Sequence, residues 1–177
     1  MKKLFAIAVL ALFVLVAVNQ GQAQFQKGKS FLGPHVGLSG IGSTFTLGGD
    51  YEYGVTENIG VGLTVDYWSY SFGYSGPSDW SYSYIPIGAT GSYHFAIPDM
   101  DKKWDFFAGL IIGYYVVSVT EPADFHHLAG FDYATDASRI FFGVHGGVRY
   151  FFSPTIAAQA RVGFGAYIVA VGVDFKF

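Results

Sequence analysis

The chain contains no cysteine. That excludes a disulfide framework, thiolate metal sites and a lipid-modified N-terminal cysteine. Charge is scarce as well: Asp, Glu, Lys and Arg make up 13% of the 177 residues, about half the ~25% of an ordinary soluble domain. The formal net charge is −3, so there is no basic surplus and no nucleic-acid partner is expected. Past the first two dozen residues there is no apolar run near the ~20 residues that a membrane-crossing helix needs. What is abundant is equally telling. Half of the chain is hydrophobic, 19% is aromatic, and there are 24 glycines.

The first segment reads as a leader. Lys2 and Lys3 precede an apolar run from Leu4 to Val18, and Gly21-Gln22-Ala23 offers small residues at the two positions a signal peptidase reads. The order basic, apolar, small is that of a secretory signal, with cleavage expected between Ala23 and Gln24. The run is short for a retained membrane helix. Residues 1–23 are therefore expected to be removed, leaving 24–177 as one domain with 8 basic residues against 13 acidic ones.

The mature part alternates. In IGVGLTVDYW, the side chains of Ile59, Val61, Leu63, Val65 and Tyr67 fall on one face, and Gly60, Gly62, Thr64, Asp66 and Trp68 on the other. A period of two is the signature of a strand with unlike faces. The split recurs to give eight expected strands at 30–39, 44–55, 59–71, 82–95, 104–119, 138–151, 155–164 and 166–177. Most are about ten residues or longer, the length of a tilted membrane-crossing strand. Turn-rich GVTEN (54–58), AIPDMDKK (96–103) and FSPT (152–155) fall at one end. SGIGS (39–43), FGYSGPSDWS (72–81), TEPADFHHLAGFDYATDA (120–137) and a tight corner near Gly165 fall at the other. Short turns at one end and longer loops at the other are the pattern of outer-membrane barrels.

The final stretch sets the phase. Tyr167, Val169, Val171, Val173, Phe175 and Phe177 share one face of VGVDFKF and its lead-in, and Ala170, Gly172, Asp174 and Lys176 share the other. With the first face toward lipid, Phe45, Leu47, Val61, Leu63, Val65, Ile85, Ile87, Leu110, Ile112, Phe142, Val144 and Val148 join it. The opposite face collects His35, Asp50, Glu52, Asp66, His94, Asp105, Arg139, His145, Arg149, Arg161, Asp174 and Lys176. Five acids against four Lys and Arg is close to balance, as dehydrated charges in a side-chain-filled lumen require. A soluble barrel would instead show a crowded charged exterior. Glycines are expected mainly inward, leaving room for long Arg and Lys side chains. Two aromatic belts are expected: Tyr51, Tyr53, Tyr93, Phe95, Phe106, Tyr150, Phe175 and Phe177 at the turn end, and Tyr67, Tyr70, Trp80, Tyr82, Tyr114 and Tyr167 at the loop end.

Leader, eight strands, GVTENIGVGLTVDYWSYS, the FSPT turn and the terminal Phe177 together resemble the small outer-membrane β-barrel domain family, with OmpX and the OmpA barrel as relatives in architecture. The resemblance covers the mature chain. It implies an eight-stranded antiparallel up-and-down transmembrane barrel in the bacterial outer membrane. It further implies lipopolysaccharide as lipid neighbour, a monomer, and recognition of the last strand by the barrel assembly machinery.

Catalytic, cofactor-binding and metal sites are not expected. Related barrels that deacylate lipid carry His-x-Ser facing lipid, whereas Ser92-Tyr93-His94 has the reverse order and both residues face inward. The loop 120–137 holds Glu121, Asp124, His126, His127, Asp132 and Asp136, but its spacing fits no calcium loop. The aromatic stretch Phe72–Tyr84 suits an adhesive surface or a membrane-interface belt. Pro34 and Pro86 lie inside strands, where a bulge is expected and a lateral opening is the alternative. The function expected is a structural or surface-interaction role with a filled lumen. A narrow pore or lateral conduit for small apolar molecules stands second, and a lipid-modifying enzyme third.

Overall fold

The computed structural model describes residues 25–39, 44–72, 80–120 and 139–177. The leader, its Ala23–Gln24 junction, and the acidic and histidine residues of loop 120–137 lie outside the described residues.

Alternation produces strands where it was expected: β1 (Ser30–Leu38), β2 (Phe45–Gly54), β3 (Ile59–Phe72), β4 (Trp80–Phe95), β5 (Trp104–Thr120), β6 (Arg139–Ser153), β7 (Ile156–Phe164) and β8 (Val169–Lys176). Each pairs antiparallel with its neighbour in the chain, and β1 pairs with β8 to close the barrel. Closure leaves no sheet edge unpaired. Thr56 organises the turn after β2 by accepting the N–H groups of Asn58 and Ile59. Ser153 does the same for the turn before β7, accepting from Thr155 and Ile156.

The wall is uneven. β3 to β6 run 14, 16, 17 and 15 residues, while β7, β8, β1 and β2 run 9, 8, 9 and 10. A difference of about six residues at ~3.3 Å each lengthens these strands by roughly 20 Å, which at a tilt of about 40° raises one side by roughly 15 Å.

Inward glycines let the walls close around large side chains. A Cβ on Gly109 would collide with the Gly91 carbonyl oxygen and His145, and one on Gly62 with the Tyr51 carbonyl oxygen. Gly91, on the outer surface, would meet nothing.

Four expectations need correction. Tyr167 is buried, not on the lipid face. Gly165 takes φ 115°, a left-handed backbone, and residues 165–168 form a corner that resets the alternation before β8 begins at Val169. Arg139 does not join the lumen network. It sits exposed at the start of β6, on the raised side of the barrel, where the inward direction opens to solvent. Tyr70 and Tyr82 also line the inner face of the raised side, stacked 5.2 Å apart on Tyr84 and Trp68, so Tyr67 and Tyr114 carry the described outer belt at that end.

The prolines make no bulge. Register runs unbroken through Pro34 against β2 and Pro86 against β5, and the one described register shift lies between Phe151 and Ser153. An antiparallel residue directs its N–H to one neighbour only. The ladder toward the other neighbour is what thins: β1 and β8 lack pairs at Gly33 and Pro34, and β3 and β4 lack pairs at Asp66 and Tyr67, opposite Pro86 and Ile85.

Candidate functional site: the lumen

Inward side chains meet in two ionic clusters. Nearer the turn end, Arg149 on β6 is fully buried and reaches three strands. Its Nη2 donates to Glu52 Oε2 at 2.6 Å, its Nε to Asp174 Oδ2 at 2.5 Å, and its Nη1 to Asp105 Oδ2 at 3.4 Å. His94 bridges the same acids, with Nδ1 2.8 Å from Asp105 and Nε2 3.2 Å from Glu52. The guanidinium lies between the faces of Phe31 and Phe107, at 4.7 and 4.8 Å, where ring quadrupoles attract a cation.

Toward the loop end, Arg161 Nη1 donates to Asp50 Oδ1 at 2.5 Å. Gln159 Nε2 donates to the other Asp50 oxygen at 3.3 Å. His35 bridges Asp50, at 3.5 Å, and Asp66, at 2.8 Å. Thr46 and Thr64 complete Asp66 with their hydroxyls.

The two clusters repeat one design: an arginine, its acids, and a histidine spanning two carboxylates. With Arg139 at the rim, the lumen holds five acids against Arg149, Arg161 and Lys176. Both ring nitrogens of His35 and His94 face carboxylate oxygens. A ring that donates from both nitrogens carries a positive charge, and two such rings bring the lumen to balance.

Apolar layers flank the clusters on both sides. Phe25, Phe31, Phe151 and Ala157 pack below the clusters. Ile111, Tyr115, Val117, Phe141, Ala166, Tyr167 and Ala170 pack above them. Tyr115 crosses this upper layer to donate its hydroxyl to the Gly165 carbonyl at 2.5 Å.

Of the inward set expected from alternation, eleven members are buried and only Arg139 is not. Lys176 lies at the turn end, with Nζ 3.5 Å from Gln26 Oε1. Ser92 and His94 do not bond to each other. Ser92 Oγ lies 3.2 Å from His145 Nε2, while His94 serves Asp105 and Glu52. The Ser92–His145 pair has no carboxylate at His145 Nδ1, which has no partner, and both residues are buried in the lumen. It lacks the oriented base and open approach that an activated serine needs. Alternation put Thr64 on the face of Asp66 but did not single out Gln159, Thr46 or Phe25 as members. Gln159 and Thr46 are uncharged, and Phe25 precedes the first strand.

The outer surface is the inverse of the lumen. Leu47, Leu63, Ile87, Leu110, Ile112, Phe142, Val144, Val162 and Phe164 form an exposed band, with Phe142 and Phe164 more than 70% exposed. Exposed apolar area of this extent is found only where something apolar covers it.

No protein-family model and no curated protein matches the chain. Solved structures do. The outer membrane protein OprG from Pseudomonas aeruginosa superposes with a TM-score of 0.62 at 14% identity, over 89% of this chain and 99% of that one. Ail of Yersinia pestis, in complex with the heparin analogue sucrose octasulfate, gives 0.56 at 14% identity, over 86% and 100%. The E. coli outer membrane protein W gives 0.53 at 16% identity, over 86% and 99%. The chain has the outer-membrane β-barrel fold. In barrels of this fold an apolar outer band faces lipid, short turns face the periplasm and longer loops face outward.

Proposed function

We propose that this outer-membrane barrel is a non-enzymatic, sealed-lumen protein that acts structurally or through contacts made at its outward end. The observation that carries this reading is the layering of the lumen. Two ionic clusters lie between apolar layers, an arrangement that supports a lumen closed to ions. The raised side adds surface at the outward end. Its inner face presents Tyr70, Tyr82 and Tyr84 with the exposed Arg139 nearby, residue types that dominate binding hot spots. The likeness to Ail, whose structure holds an anionic sugar analogue, fits such a role. Lipopolysaccharide as lipid neighbour, a monomeric state, and recognition of the last strand by the assembly machinery complete the proposal. Val169, Val171, Val173, Phe175 and Phe177 present that signal, and Tyr167 does not.

A second reading, sideways passage of small apolar molecules, has one observation in its favour: the thinned ladder between β3 and β4 beside Pro86. Single-channel recording of refolded protein in a planar bilayer separates the two, with a heat-shifted gel band as the check on folding. Silence from folded protein is expected. Steady conductance would overturn the sealed-lumen reading, and retention of a labelled apolar solute's transport by silent protein would favour the second.

A further inference from the structure

Phe25 precedes every strand, yet it is only 6% exposed. Its ring lies flat on the His94 imidazole, with centroids 3.5 Å apart and planes at 7°. It also stacks on Phe31 at 5.5 Å. The backbone behind it explains the placement. Lys29 N–H bonds back to Gln26 O, Gly28 N–H to Gly54 O at 2.7 Å, and Gly54 N–H to Lys29 O at 2.9 Å. Gly28 has φ 76°, a conformation glycine adopts without strain. The segment thus passes under the rim and turns, sending Phe25 back up into the periplasmic mouth.

Everything else in the lower apolar layer belongs to the sheet. Phe31, Phe151 and Ala157 sit on β1, β6 and β7 and cannot leave without breaking strand pairing. Phe25 can leave at the cost of a few turn hydrogen bonds. It also covers the face of the histidine that ties Glu52 to Asp105, where a ring bonded to two acids gains from an aromatic neighbour. A notch of about 60 Å³ beside it, lined in part by Glu57, Asn58 and Trp104, already opens toward His94 and Asp105. The Phe25 ring lines this notch and also packs in the lower layer.

We propose that Phe25 is a removable stopper for the periplasmic mouth of the lumen, an aromatic ring seated in a slot formed by His94 and Phe31. The proposal rests on the sealed-lumen reading. Its consequence is that the lower apolar layer around Phe31, Phe151 and Ala157 is reached by periplasmic water only when the N-terminal segment lifts.

The absence of native cysteine makes a single introduced thiol an unambiguous reporter. Ala157 is fully buried in the same layer as Phe25. In refolded Ala157→Cys protein, a small charged methanethiosulfonate should react slowly. Adding Phe25→Ala should speed the reaction at least tenfold, and Phe25→Tyr in its place should restore protection. Equal rates with and without the ring in protein showing the heat-shifted band would overturn the proposal. If the double variant does not fold, native-state hydrogen exchange on the unaltered chain decides. The Gly28 amide should exchange at least tenfold faster than the β1 amides, and equal protection would show that the segment does not lift. Conductance by the unaltered chain would defeat the sealed lumen itself, whereas silence with ring-independent thiol protection would defeat the stopper alone.

Discussion

Replacing Arg149 by methionine keeps most of the side-chain volume and deletes the charge. Glu52, Asp105 and Asp174 would then face one another in a lumen where each is at most 6% exposed. Removing one partner of an exposed ion pair costs about 0–1 kcal/mol. Removing one from a buried pair costs about 3–5 kcal/mol, because an uncompensated charge stays behind. Arg149 holds three acids, and His94 answers only two of them, so the upper part of that range is expected. A loss of about 4 kcal/mol is a nearly thousandfold change in the folding equilibrium. The assay is urea unfolding of protein refolded into lipid vesicles, followed by tryptophan fluorescence. Adding Asp174→Asn to Arg149→Met should recover part of the loss, since Asp174 is the acid that His94 does not reach. A loss below about 1 kcal/mol would mean that water reaches the acids and screens them. The layered, sealed lumen would then be wrong.

Three further substitutions test other parts of the structure. Leu110→Arg puts a charge on the apolar outer band and should cost about 2–4 kcal/mol in a bilayer if it lies near the midplane; an unchanged urea midpoint in vesicles would contradict the membrane-facing assignment. Gly109→Val should abolish the heat-shifted band, because its Cβ runs into the backbone of the adjacent strand, while Gly91→Ala, pointing outward into open space, should fold as the parent does.

The strands were legible because a wall with lipid outside and side chains inside writes its two environments into alternate residues. Strand limits fall within about three residues of where alternation placed them, and eleven inward side chains follow from phase alone. Phase carries no information about height. Arg139 points in the lumen direction, but the barrel is one-sided there, so it meets solvent. Phase also fails across a corner. A single left-handed glycine at 165 shifts the count, and Tyr167 moves from the presumed lipid face into the lumen. The prolines misled for a different reason. A missing N–H suggests an extra residue, yet losing one donor disturbs only the ladder on that side. Pairing partners were beyond alternation altogether. That Arg149 finds Glu52, 97 positions away, follows from barrel closure and from relative register, which periodicity does not fix.

Seven of the eight strand pairings join neighbours in the chain, and each can form as a local hairpin. The eighth does not. Ser30 and Phe177 exchange backbone hydrogen bonds, each 2.9 Å, across nearly the whole length of the domain. Contacts of such wide separation are entropically late. The slow event in folding is therefore concentrated in one seam, and until it zips the intermediate is an open sheet with β1 and β8 as bare, sticky margins. Two β1 residues in that seam, Gly33 and Pro34, have no rung to β8, so the closing seam carries a gap in its ladder. Kinetics, more than equilibrium stability, should then be the property most sensitive to changes at the chain's two ends.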